Sequence, residues 1–148
     1  MLKNRQIANA VKEHPKLNVS TGAHIYEQVL SLSTWLTARE VAVGAGCKEV
    51  DPSGLMDKWK KAGKIFALSV KGQDLFPAYA LGVDGKPLPQ MKEVLAILSV
   101  SRKPLAIASW FASANSWLAC KAPMDEIAEH PLEVLKAASR EVAPIEHG

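Results

Sequence analysis

A chain of 148 residues has room for one ordinary domain or two very small ones, which excludes a large multi-domain enzyme. With 48% apolar and 22% charged residues it has the balance of a folding, globular sequence, and no apolar run reaches the roughly 20 residues of a membrane-crossing helix. The net charge of +3 is too small to name a partner, but it is unevenly placed: through Leu81 eleven Lys/Arg oppose seven Asp/Glu, and from Gly82 onward seven oppose eight.

Residues 3–13 carry Ile7, Ala10 and Val11 at helical spacing and predict a short helix ending before Pro15, followed by a polar linker through Gly22. The first residues, Met1 to Arg5, lack the apolar core of a signal peptide, so a cytoplasmic location without a membrane partner is expected. Ile25, Val29, Leu30 and Leu32 form the next apolar face. Ser33-Thr34 interrupts it, and a second helix is expected from Trp35-Leu36 onward, with Thr37 as N-cap and Glu40 completing a capping box. The glycines at 44 and 46 end it. Asp51-Pro52-Ser53 then offers a cap, and Leu55, Met56 and Trp59 recur at helical spacing up to Gly63.

The pattern changes to extended runs over 65–70 and 75–80 around Lys71-Gly72-Gln73-Asp74, which predicts a β-hairpin. Pro77 cannot donate to a ladder and is expected at an outward or edge position. Gly82 to Pro87 is the strongest break in the chain and marks a module boundary. Beyond it four helices are expected: around Met91 to Leu98, from Leu105 to Phe111, around Met124 to Ala128, and from Leu132 to Val142. The resulting fold class is mainly α with one β-hairpin: residues 1–22 as a helix and linker, a winged helix-turn-helix-like module over 23–84, and a small all-α domain over 85–148.

The order helix, turn, helix, hairpin suggests a module whose second helix enters the DNA major groove while the hairpin tip touches phosphates. Lys58, Lys60, Lys61 and Lys64 cluster at the end of that helix, Lys71 sits at the hairpin turn, and only Asp57 opposes them locally. Base-reading side chains are confined to Ser53 and Gln73, so modest sequence specificity is expected. A lysine-rich helix end is equally the pattern of a solvated face that complements the helix dipole. Trp59 is expected to be a core anchor. Trp110, Phe111, Asn115 and Trp117 concentrate aromatic surface within eight residues, and part of it is expected to face a partner. Trp110 and Leu118 also suit packing within the domain, and Asn115 suits a cap.

Catalysis is not expected. Glu126, Glu129, His130 and Glu133 share helical turns, but such spacing usually gives solvated acidic faces, and no phosphate loop, nucleophile elbow or metal signature is present. Cys47 and Cys120 read as two free thiols, without a disulfide framework, zinc or other cofactor.

The tract Trp110-Phe111-Ala112-Ser113-Ala114-Asn115-Ser116-Trp117-Leu118, then Lys121 to Ile127, then Pro131 to Ala138, resembles the toxin-binding domain of Xre/MbcA/ParS-type antitoxins. Trp59 to Phe66, Pro77-Ala78-Tyr79 and Lys86-Pro87-Leu88-Pro89 are similar to the leader that often precedes it, so the resemblance covers roughly residues 35 to 142. It implies a helical second half that dimerises or docks a toxin, often an NAD-consuming RES-type enzyme, while the first half binds operator DNA. Trp110 to Leu118 and the segment beginning at Lys121 would shape the partner surface. Where the family usually has a glycine pair after Trp-Leu, this chain has Ala119-Cys120, and its first module carries a hairpin that the Xre-type helix-turn-helix lacks.

Overall fold

The computed structural model describes residues 21–48 and 51–143, so the helix expected over 3–13 lies outside the described residues. The described chain is mainly α, with seven α-helices and one small antiparallel sheet. In chain order these are α1 (Thr21–Ser31), β1 (Trp35–Thr37), α2 (Ala38–Gly44), α3 (Ser53–Lys61), β2 (Leu68–Val70), β3 (Gln73–Pro77), α4 (Pro89–Leu98), α5 (Pro104–Ala112), α6 (Pro123–Glu126) and α7 (Pro131–Val142). Single 3-10 turns lie at Ala78–Ala80 and Ser116–Leu118. No helix among the described residues is long and apolar enough to cross a membrane.

Local chemistry sets the element ends. The capping box at Thr37 forms: the Glu40 N–H donates to Thr37 Oγ1 at 3.2 Å, and the Thr37 N–H donates back to Glu40 Oε1 at 2.9 Å. At the end of α3, Gly63 is left-handed (φ 72°), and the amides of Gly63 and Lys64 turn back onto the carbonyls of Lys60 and Trp59 at 3.0 and 2.9 Å. The helix α2 closes in the same way through Gly46 and Cys47. In the second half every helix opens on proline, at 89, 104, 123 and 131. Proline's fixed φ suits the first helical position, and its missing N–H would have been unpaired there.

Three expectations about the strands are corrected. Trp35-Leu36-Thr37 is not the start of a helix but strand β1, pairing with β3 in the register Trp35↔Pro77, Leu36↔Phe76, Thr37↔Leu75. The sheet order is β1-β3-β2, so β3 is central and Pro77 is buried at its last position, neither outward-facing nor on an edge. The Ala78 N–H donates to the Thr34 carbonyl at 2.9 Å, which makes Trp35↔Pro77 a pair without mutual hydrogen bonds. Pro77 therefore costs the β1 ladder nothing, and β2 ends short of it. The hairpin turn is also tighter than expected, only Lys71-Gly72, both with positive φ (53° and 78°), because that sense of twist matches the flanking strands.

The hydrophobic core runs from Val29 to Ala138 without interruption at residues 84–85. Phe111 of α5 is fully buried, with its ring 6.1 Å from Phe66 and 5.0 Å from Tyr79, so the segment before the Gly82 turn and the helices after it share one core. The turn itself is ordered by hydrogen bonds: Gly82 N–H to the Lys86 carbonyl at 2.8 Å and Lys86 N–H to Asp84 Oδ1 at 3.0 Å. Gly85 (φ 77°) lies directly against the end of α2, where a Cβ would stand 2.2 Å from the Gly44 carbonyl oxygen.

Ala119 and Cys120 are both left-handed, with φ of 56° and 67°. The loop around them is closed by Asn115, whose carbonyl accepts from the amides of Leu118 (3.0 Å) and Cys120 (2.9 Å) and whose N–H donates to the Lys121 carbonyl (3.0 Å). That closure holds two L-residues in a form costing each on the order of 1–2 kcal/mol. Ala119→Gly, and more so the double change with Cys120→Gly, should therefore raise the unfolding free energy by about 0.5–1 kcal/mol per site, measured by urea denaturation.

Candidate binding surfaces

Lys58 and Lys61 are exposed on α3, Lys64 follows it, and Lys71 stands at the hairpin turn. None of these four has an ion-pair partner among the described residues. Lys60 is different. Its Nζ lies 2.6 Å from Asp74 Oδ2 on β3, so this lysine is half-buried and engaged across the sheet. The reading that only Asp57 opposes the cluster is thereby corrected: Asp74 reaches in from 14 residues away.

Ser53 begins α3 and is exposed, but it is tied to Asp51, with its hydroxyl and its N–H donating to Asp51 Oδ1 at 2.6 and 3.0 Å. These bonds, the one from the Ser53 hydroxyl first, hold the Asp51 carboxyl below its ordinary pKa and close a turn just ahead of the helix. Ser53 and Gln73 share a groove of about 560 Å³ with Arg39, between the starts of α2 and α3 and the hairpin. Arg39 was missed by the sequence reading because it sits inside a capping box, where the pattern has a structural explanation.

The aromatic tract divides sharply. Phe111 is fully buried and Trp110 is 8% exposed, so neither ring offers a face to a docking protein, and their assignment to a protein-binding face is corrected. The reason is α5 itself, PLAIASWFA, apolar on nearly every side and packed into the core. Asn115 is 9% exposed and structural: its side-chain oxygen accepts the Trp117 N–H at 2.9 Å. Trp117 emerges, 53% exposed, with the Arg140 guanidinium carbon 4.4 Å from its ring centre. Lys121 is exposed, and Glu126 lies between it (3.8 Å) and His130 Nδ1 (3.6 Å), while Glu133 pairs with Lys136 at 3.8 Å.

Beside Trp117 opens a cleft of about 360 Å³, lined among others by Arg102, Ser109, Trp110, Asn115 and Glu141. Arg102 Nη2 donates to Glu141 Oε1 at 3.2 Å. Four buried side-chain polar atoms have no partner within the protein among the described residues: Arg102 Nη1, Trp110 Nε1, Trp35 Nε1 and the Tyr79 hydroxyl. Burial pushes the Tyr79 hydroxyl pKa up, so it stays protonated. Arg102 and Glu141 went unnoticed in the sequence because they are 39 residues apart and belong to no local pattern. Compared with protein-family models, curated proteins and solved structures, the chain matches none.

Proposed function

We propose that the protein is an antitoxin-like or DNA-associated regulator that works by binding, through a winged helix-turn-helix-like first module and a helical partner-docking second half. The observation that carries this reading is the succession α1, β1, α2, α3, β2, β3 with strand order β1-β3-β2, which puts α3 and the hairpin turn together as a candidate recognition helix and wing. Four lysines without an ion-pair partner among the described residues, at the end of α3, just beyond it and at the turn, suit phosphate contacts, which are sequence-independent. For the second half, the left-handed backbone at Ala119-Cys120 is what a glycine pair would adopt freely, and this agrees with the resemblance to the Xre/MbcA/ParS toxin-binding domain. Under that resemblance the partner would be a toxin, with a RES-type enzyme as first choice, and the working unit a homodimer.

Fluorescence anisotropy with a 20-base-pair duplex tests the first half. Four phosphate contacts give a slope of log affinity against log salt of about −3 to −4. The combined change of Lys58, Lys61, Lys64 and Lys71 to alanine should abolish that slope and weaken binding at low salt at least about tenfold. Wild-type protein that ignores DNA at low salt would sink the DNA half of the reading.

A second reading, an interaction adaptor without DNA binding, draws on Asp57 in the middle of the exposed face of α3 and on Asp74, which occupies Lys60. Both reduce the positive field where DNA would lie. Co-purification of a stoichiometric toxin without any DNA shift would favour it.

A further inference from the structure

Two of the four buried polar atoms that lack a partner among the described residues, Arg102 Nη1 and Trp110 Nε1, sit on side chains that line one cleft. Both are donors only, since neither a guanidinium nor an indole nitrogen can accept. Among the described residues the cleft has one carboxylate, Glu141, which accepts from Arg102 Nη2 and leaves Nη1 unanswered. A buried donor without an acceptor carries a desolvation penalty that an incoming oxygen would remove, and a charged donor gains most. At about 360 Å³ the cleft stands at the small end of the range for ligand pockets. Its rim offers the half-exposed Trp117 ring, held by Arg140. Both donors are sealed from solvent, so this rim has to yield for an oxygen to reach them.

We propose that this cleft is a binding site for a small carboxylate, taken by the Arg102 guanidinium and the Trp110 indole N–H, with the Trp117 ring against the ligand's apolar part. Glu141 then tunes the site: it orients Arg102 and repels the incoming anion, so ligand and Glu141 compete for one guanidinium.

The chain has four tryptophans, so an amide correlation NMR spectrum of the full protein reports only four indole N–H signals. The probes are 4-phenylbutyrate, its amide and 4-phenylbutylamine. The Trp110 indole proton should move downfield with the carboxylate alone, and Trp59, in the core, should not move. Arg102→Gln should weaken binding about tenfold or more, the loss of one charge-assisted bond. Glu141→Gln should tighten it several-fold. A purely structural Arg102–Glu141 pair would instead make both changes weaken binding, and Glu141→Gln carries the test alone should Arg102→Gln fail to fold. Acetyl-Gly-Gly-Phe with a free C-terminus, set against its amide, shows whether the carboxylate belongs to a peptide end: tighter binding than phenylbutyrate assigns it there, weaker binding assigns it to a small molecule. A Trp110 signal that ignores carboxylates, as when ordered water already supplies the acceptors, overturns the proposal, as does an equal response to amide or amine.

Discussion

Phe111→Ala is expected to lower the unfolding free energy by about 3–5 kcal/mol, the cost of truncating a fully buried phenylalanine that cannot be replaced by local collapse. Its ring touches Phe66 and Tyr79 from the hairpin side and meets Trp110 edge-on at 5.1 Å, so the hole would open where the two halves of the chain meet. Against a total stability of about 5–15 kcal/mol for such a domain, this is a large share. Urea denaturation followed by far-UV circular dichroism and by tryptophan fluorescence should show coincident transitions, both shifted to lower urea. If fluorescence and helix signal separated, so that one half melted while the other stood, the shared core would be wrong.

The second large effect is expected at Gly85. An alanine there must hold a positive φ of 77°, costing about 1–2 kcal/mol, and must also push its Cβ out of a 2.2 Å approach to the Gly44 carbonyl. The obstructing atoms are backbone at the end of α2, which cannot rotate aside as a side chain would, so the turn has to lift off the helix. We expect Gly85→Ala to cost about 3 kcal/mol or more in total. Gly63→Ala is the control: its φ of 72° is similarly strained, but nothing lies within 4 Å of the added Cβ, and its cost should stay near 1 kcal/mol. Equal losses at the two sites would remove the steric part of the argument.

Much of the helical frame was legible because its signals are local. Thr37 and Glu40 stand three apart and cap as their types dictate, Gly63 ends α3, and apolar spacing locates α4, α5 and α7. Strand β1 was not legible: three residues carry too little periodicity, and the partner that makes them a strand, β3, lies some forty residues on. Pro77 misled for a related reason, since only the strand order shows that a terminal position on a central strand spares its missing donor. At the candidate sites, composition singled out an aromatic tract but could not tell which of its rings are exposed. Aromatic density reads the same whether rings face inward or outward, so Trp110 and Phe111 were grouped with Trp117, and only the last is exposed. The pairs Lys60–Asp74 and Arg102–Glu141 are products of tertiary approach and leave no trace in spacing.

The continuity of rings from Phe66 and Tyr79 through Phe111 to Trp110 ties the Trp117 cleft to the lysine-bearing hairpin by mass action. A ligand that occupies the cleft only in the folded chain raises the unfolding free energy by RT ln(1 + [L]/Kd), and in a chain with one core that increment falls on the hairpin as much as on the cleft. Proteolysis or hydrogen exchange at residues 68–77 would thus register what happens in the cleft, without any change of shape passing between them.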